Sequence, residues 1–328
     1  MHLFIDTNIY LGFYHLSSDD LEELNKLAVL LEEEKVTLYV TDQVVNEFNR
    51  NREAKIADSL KRLKDQHLNL QFPQFCKDYP EYEKLREQQK QYEKDHKALI
   101  EKLTADIESN NLKADKTIAA LFEQANVLTM EPKIVEKARL RMQVGNPPGK
   151  DGSLGDAISW ELLLKAVPQG EDIYFITDDK DYVSVLDDES IKEFLGDEWE
   201  EAKNSEVICY KRLAFFFKEK FPNIKLATEL MKELQIQRLV SSASFLTTHA
   251  AIAKLSNYAD FTADQINSMA LAAIENSQVR WIIDDEDVKK FYQNLLDIHE
   301  GLMDPELDAG LHELLDPPKQ EQKDAPPF

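Results

Sequence analysis

Short apolar runs alternate with longer amphipathic stretches through the first part of the chain. Leu3-Phe4-Ile5, ending at Asp6, reads as a buried strand. Ser17-Ser18-Asp19-Asp20 is a capping sequence for a helix that carries Leu21, Leu24, Leu27, Ala28 and Leu31 on one face. Val36 to Val40 forms the second strand, and Thr41 or Asp42 N-caps a helix through Val44, Val45 and Phe48, which puts Glu47 in its second turn. Strands and helices in alternation predict a parallel α/β sheet.

The alternation stops between about residues 68 and 126. Tyr82, Leu85, Tyr92, Leu99 and Leu103 follow near-heptad spacing, with Gln89 and His96 at the intervening seam positions, so a helical hairpin packed on the domain as an insertion is expected. A helix over Glu131 to Met142, a loop over Val144 to Ser153, a helix from Ala157 to Ala166 opened by Asp156, and a strand over Ile173 to Thr177 follow. Val207 to Tyr210 is the last predicted strand, before a segment Arg212 to Phe221. After Pro222 only helices are expected, with Thr262 and Gln265 as a capping box and Val288, Phe291, Tyr292, Leu295 and Leu296 at helical spacing. The predicted organisation is 1–220 for the α/β domain, 221–316 for a helical region and 317–328 for a disordered tail.

Composition narrows the chemistry. The chain has 328 residues, two cysteines that lack a metal-ligand spacing, and seven dispersed histidines, none of which is assigned as a general acid or base. The first residues have no basic region and meet Asp6 early, and no apolar run approaches a membrane span. A cytoplasmic protein without membrane contact is therefore expected. Gly145 to Lys150 fails as a phosphate loop, because three residues separate the glycines and Asp151 replaces the required Ser or Thr. A formal charge of −23 opposes non-specific affinity for nucleic acid. Local basic stretches run against it: Arg50, Arg52 and Lys55 lie in one, and Arg139, Arg141 and Lys150 in another, and either could face a phosphate backbone. Asp187 to Glu206 and the region from Asp284 onward are read as acidic solvated surface or partner interface. Trp160, Phe215, Phe216 and Phe217 are assigned to the core, and Tyr10, Phe13 and Tyr14 to burial of the first helix, with base stacking as the alternative for these three.

Acidic residues recur where strands end or helices begin: Asp6, Glu47, Asp156 and the group Asp178, Asp179, Asp181. Such carboxylates would gather at one edge of a parallel sheet, where ligands bind. Brought together they repel, and a cation relieves them. Oxygen-only ligation points to Mg²⁺ or Mn²⁺.

Asp6-Thr7-Asn8, Glu47 early in a helix after the second strand, Gly155-Asp156-Ala157 opening a helix, and Thr177-Asp178-Asp179-Lys180-Asp181-Tyr182 closing a strand together resemble the PIN domain family. The similarity covers roughly residues 1–67 and 127–220. It implies an α/β fold, a PIN-like three-layer sandwich with a central, mostly parallel sheet, here with a helical-hairpin insertion and an all-α C-terminal region. It also implies metal-dependent cleavage of phosphodiesters, usually of RNA. Asp6 matches the family's first acid, Glu47 its second and Asp156 its third. Asp179 fits the fourth by the Thr-x-Asp-x-Asp-aromatic pattern, with Asp178 and Asp181 still open as ligands, and Asn8 and Thr177 match polar positions that order the site. Two Mg²⁺ about 4 Å apart would activate water and stabilise the attacking and leaving oxygens of an in-line displacement.

The expectation is an endoribonuclease, with a toxin-like or defence role and regulation by a protein partner or by self-association through the helices. A structure-selective DNA nuclease and a catalytically silent PIN scaffold acting through protein contacts are the alternatives.

Overall fold

The computed structural model describes residues 1–14, 21–68, 70–149, 154–187, 189–299 and 301–316. The chain divides into two compact units, Met1–Ile224 and Lys225–Phe328. The predicted cap at Ser17 to Asp20, Lys150 of the second basic stretch and the tail from Pro317 lie outside the described residues.

In the first unit, β1 (His2–Ile5), β2 (Thr37–Thr41), β3 (Asn126–Leu128), β4 (Ile173–Ile176) and β5 (Val207–Tyr210) form one sheet in the order β3-β2-β1-β4-β5. Every pair is parallel. Leu3, Phe4 and Ile5 are fully buried, which is why β1 reads as a continuous apolar run: a central parallel strand is covered on both faces. The helices are α1 (Thr7–Gly12), α2 (Leu21–Glu32), α3 (Asp42–Lys64), α4 (Pro80–Glu108), α5 (Lys113–Gln124), α6 (Pro132–Gln143), α7 (Leu154–Ala166), α8 (Glu193–Lys203) and α9 (Leu213–Lys220). On one face Phe4 stacks on Phe175, which meets Trp160 of α7 and Tyr182, and Trp160 meets Trp199 of α8. On the other face Tyr174 and Tyr210 pack against Phe216 of α9, and Phe217 lies under the Lys26 ammonium of α2. The domain is thus the expected three-layer α/β sandwich.

Two elements escape the sequence pattern. The strand β3 is three residues long with Asn126 and Val127 exposed, too short and too polar for a periodic signature. Helix α8 falls in the stretch read as acidic surface, yet Leu195 and Trp199 are fully buried on its inner side. Only one of the two lines of the expected seam packs. His96 Nε2 donates to the Leu63 carbonyl (2.9 Å), Gln89 donates to the Leu68 carbonyl (2.9 Å) and Tyr82 packs edge-on to Phe72. Leu85, Tyr92 and Leu99, on the adjacent line of α4, are exposed.

Two of the arginines read as phosphate contacts are built into the fold instead. Arg52 grips Asp115 of α5 with Nε and a terminal nitrogen (2.7 and 2.5 Å), and the Tyr14 hydroxyl donates to the same carboxylate. Arg141 is buried on α6, donating to Glu161 of α7 (2.9 and 3.0 Å), to Glu198 of α8 and to the Pro147 carbonyl (2.5 Å), while the Trp160 indole N–H donates to Glu198 (2.7 Å). Arg50, Lys55 and Arg139 are exposed.

The second unit contains α10 (Ala227–Val240), α11 (Phe245–Leu255), α12 (Ala263–Glu275), α13 (Ser277–Arg280), α14 (Glu286–Ile298) and α15 (Pro305–Leu315). Leu239, Ile252, Met269, Tyr292 and Leu311 belong to one apolar core. Both hydrogen bonds of the Thr262–Gln265 capping box are present. Among the described residues no helix is long and apolar enough to cross a membrane.

The Arg141 cluster yields a test. Arg141→Met should lower unfolding free energy in urea by roughly 2–3 kcal/mol, less than loss of a fully buried partner would, because Glu198 keeps some contact with solvent. Adding Glu198→Gln should recover part of that loss, since one of the two stranded charges is removed, with Glu161 the other, while an oxygen remains for Trp160. Equal destabilisation by the single and double variants would show that the cluster is not electrostatically organised.

Candidate active site

The sheet runs out on both sides of β1: β2 and β3 lie to one side, β4 and β5 to the other. Strand order therefore reverses between β1 and β4, and the C-terminal ends of these two strands flank the crevice where open parallel sheets bind ligands.

Asp6 leaves β1 at that point. Its N–H continues the ladder to the Ile176 carbonyl (2.9 Å), and its extended backbone caps α1, with Oδ1 accepting from the Thr7 N–H at 2.7 Å. The residue is only 6% exposed. Its other oxygen accepts from the Thr177 hydroxyl at 2.8 Å, and that hydroxyl in turn accepts from the Asp179 N–H at 3.0 Å. Asp179 Oδ1 accepts from the Asp181 N–H (2.8 Å), closing a turn directly after β4. Fully buried Thr177 thus joins the first acid to the last acidic group across the reversal point.

Asp156 arrives on the first turn of α7. The helix is registered on the sheet by a hydrogen bond between the Ser159 and Thr41 hydroxyls (3.0 Å) and by the buried Tyr182 hydroxyl, which donates to the Asp156 carbonyl (3.1 Å). Gly155 lies against the Gln43 side chain of α3: a Cβ there would come within 2.5 Å of the side-chain Nε2, which would have to shift. Glu47 is half-buried on α3, one turn beyond Gln43.

The electrostatics mark this edge as unusual. Burial raises the Asp6 carboxyl from 3.8 to about 7, the Asp156 charge adds to the rise, the Thr177 hydrogen bond opposes it, and Asp179 pushes further upward. Burial also raises the Tyr182 hydroxyl well above its ordinary value, with the charges of Asp156, Asp6, Asp179 and Asp181 adding to the effect. Of the three aspartates after β4, Asp179 bears on both Asp6 and Tyr182. Asp181 is half-buried, and Asp178 is exposed, as is Asn8 on α1.

These donors are all oxygens, mutually repelling and in one case costly to ionise, which is the chemistry of a site for a hard divalent cation. Among the described residues, no three His, Cys, Asp or Glu side chains converge closely enough to hold an ion as they stand, so the fit to a divalent cation is one of charge and donor type only.

Three residues not singled out for the site lie at the same edge. Ile5, Ile176 and Tyr210 are level across β1, β4 and β5, and the Thr177 N–H donates to the Tyr210 carbonyl (2.9 Å), so Lys211 and Arg212 leave β5 beside Thr177 and Asp178. Phe215, assigned to the core from sequence, is 46% exposed, whereas Trp160 and Phe216 are fully buried and Phe217 is 1% exposed. The available signal was the basic pair directly after an apolar strand. Tyr10 and Tyr14 are buried, as expected.

A model of the PIN domain family matches residues 3–182. No curated protein and no solved structure matches the chain. The matched segment runs from β1 through Tyr182 and contains Asp6, Glu47, Asp156 and Asp179 on the elements described above. The chain belongs to the PIN domain family, whose members are generally nucleases and typically depend on divalent metal ions.

Proposed function

We propose that the protein is a metal-dependent endonuclease that hydrolyses RNA phosphodiester bonds at the β1–β4 edge, with Asp6, Glu47, Asp156 and Asp179 as its acidic set. The observation that carries the reading is the buried Asp6 carboxylate, held by Thr7 and Thr177 at the point where strand order reverses and placed in the field of Asp156 and Asp179. Asp179 is preferred over Asp178 and Asp181 because, of the three, its charge is the one that bears on Asp6, and its backbone N–H donates to the Thr177 hydroxyl that holds Asp6.

In this reading Asp6, Asp156 and Asp179 hold Mg²⁺ or Mn²⁺, and Glu47 either completes the shell or accepts a proton from water. A bound divalent ion lowers the pKa of water and stabilises the attacking and leaving oxygens of the phosphoryl group. The protein's part is positional. Thr7 and Thr177 fix both oxygens of Asp6, the turn after β4 fixes Asp179, and Tyr182 fixes the backbone of Asp156. No side-chain nucleophile is required, which agrees with the dispersed histidines. Lys211 and Arg212, leaving the neighbouring strand, supply positive charge for substrate phosphates in a chain of net charge −23.

Cleavage of end-labelled single-stranded RNA and DNA by the wild type and Asp6→Asn, in Mg²⁺, Mn²⁺ or EDTA, tests the proposal directly. The expected result is metal-dependent cutting of RNA, lost in EDTA and reduced about 10²-fold or more by Asp6→Asn, the scale on which removal of a charge-stabilising group acts. Preferential cutting of DNA would replace the substrate, and metal-independent or Asp6-independent cutting would sink the proposal. Thr177→Val, which touches Asp6 without being a ligand, should weaken metal affinity or activity about 10- to 100-fold.

The raised Asp6 carboxyl makes a second, activity-free prediction. Between about pH 4 and pH 7 the folded chain holds a proton that the unfolded chain has released, so this contribution to stability is full at low pH and is lost as pH rises to about 7. Above that pH the ionised, metal-free carboxylate costs on the order of 4 kcal/mol. In EDTA, wild type and Asp6→Asn should therefore melt alike near pH 4 and diverge by pH 8, with the variant the more stable. Added Mn²⁺ or Mg²⁺ should raise only the wild type. Parallel melting curves across the range would show that Asp6 is not under the electrostatic load described.

A further inference from the structure

We propose that Phe215 and Arg212 form a subsite that stacks an unpaired base of the strand lying on the carboxylate edge; the inference rests on the nuclease reading above. Three observations lead to it.

The first is position. Strand β5 ends level with β1 and β4, and neighbouring strands are about 4.8 Å apart, so the exits of β1 and β5 are separated by about 10 Å along the edge. A nucleotide adjoining a phosphate held at Asp6 reaches that far. Arg212 lies at this exit, and α9 follows at once, with the Phe215 N–H donating to the Arg212 carbonyl (3.1 Å).

The second is exposure against the helical period. In α9, Leu213, Phe216 and Phe217 turn inward and are at most 1% exposed. Three successive phenylalanines cannot all face one side of a helix, and Phe215 is the one turned out, with 46% of its surface open. Elsewhere on the outer side of α9 stand Lys218 and Glu219, the residues expected on a solvated face. The exposed part of the ring is apolar surface that a flat, unpaired base could cover.

The third is the companion group. The Arg212 guanidinium carbon lies 6.0 Å from the centroid of the Phe215 ring, at the outer limit of a cation–π contact. The guanidinium lies over one side of a ring that is still 46% exposed, and an aromatic ring with a neighbouring arginine is a pairing with which proteins take single strands: the ring's open surface stacks on a base of any identity, and the cation serves the backbone. A duplex keeps the faces of its bases covered, so the subsite selects unpaired substrate. Because stacking is not ionic, it adds affinity that does not rely on charge attraction in a chain of net charge −23.

The test is binding of a fluorescently labelled, unstructured RNA oligonucleotide to the full-length chain carrying Asp6→Asn, in Mg²⁺, compared with the same sequence annealed to its complement. Adding Phe215→Ala should weaken single-strand binding about 5- to 150-fold, the range of one lost base–aromatic stack. Phe215→Trp should restore it. Arg212→Gln should weaken binding and reduce the slope of log affinity against log salt by about 0.7. Duplex binding should be weak and indifferent to Phe215. Unchanged single-strand affinity in Phe215→Ala, or an equal loss for single strand and duplex, overturns the subsite. If the wild type cuts RNA and Phe215→Ala binds normally, the subsite alone fails. If the wild type neither binds nor cuts any nucleic acid, both this inference and the nuclease reading fall.

Discussion

A carboxylate buried at the centre of the sheet is the constraint around which the first unit is arranged. Asp6 cannot be ionised there cheaply: water is excluded, and Asp156 and Asp179 contribute charge of the same sign. Two hydrogen bonds, from the Thr7 N–H and the Thr177 hydroxyl, offset part of that cost but do not remove it. The location follows from topology. The first strand of the chain is the middle strand of the sheet, so the residue after it emerges at the reversal point with neighbours on both sides. A buried acid under this load is relieved either by a proton or by a bound cation.

The packing beneath the edge explains how the acids keep their places. Phe175, Trp160 and Tyr182 form one aromatic group on a single face of the sheet, and Tyr182 reaches out of it to hold the Asp156 carbonyl. Trp160 is tied through Glu198 to Arg141, so α6, α7 and α8 are fastened together one layer below the site. Changes in that layer would act on stability and on the position of Asp156 together. Thr41 and Ser159 do the same work from the side of β2, through one buried hydroxyl pair.

The parts legible in the sequence were those written in local periodicity. Asp6 and Thr177 stand directly after continuous apolar runs, and a run buried on both faces in a parallel sheet must end at an edge. The parts that were not legible depend on distance in sequence. Arg141 meets partners 20 and 57 residues away and Arg52 one 63 residues away, so neither could be told from a surface cation by composition. Asp178, Asp179 and Asp181 differ by one or two positions, and only the turn closed by the Asp181 N–H and the shared Thr177 hydroxyl separates them. Phe215 is a different kind of miss. The run of three phenylalanines already contradicted a one-sided helix, and the period of 3.6 residues requires one of them to face outward.

An acidic protein acting on a polyanion meets an apparent contradiction, which the layout of the edge resolves. Long-range repulsion from a charge of −23 suppresses indiscriminate binding, and at physiological salt it decays within about 8 Å of the surface. Contacts closer than that decide what is held. On this edge the acids that repel phosphate are, in the proposed reading, also the groups that would hold a divalent cation, so loading the site would convert its most repulsive patch into an attractive one. Lys211 and Arg212 stand one strand further along, where phosphates flanking the reacting bond would run. A nuclease built this way would engage its substrate only where metal, cation and an unpaired base act together, and its overall acidity would then serve discrimination rather than hinder binding.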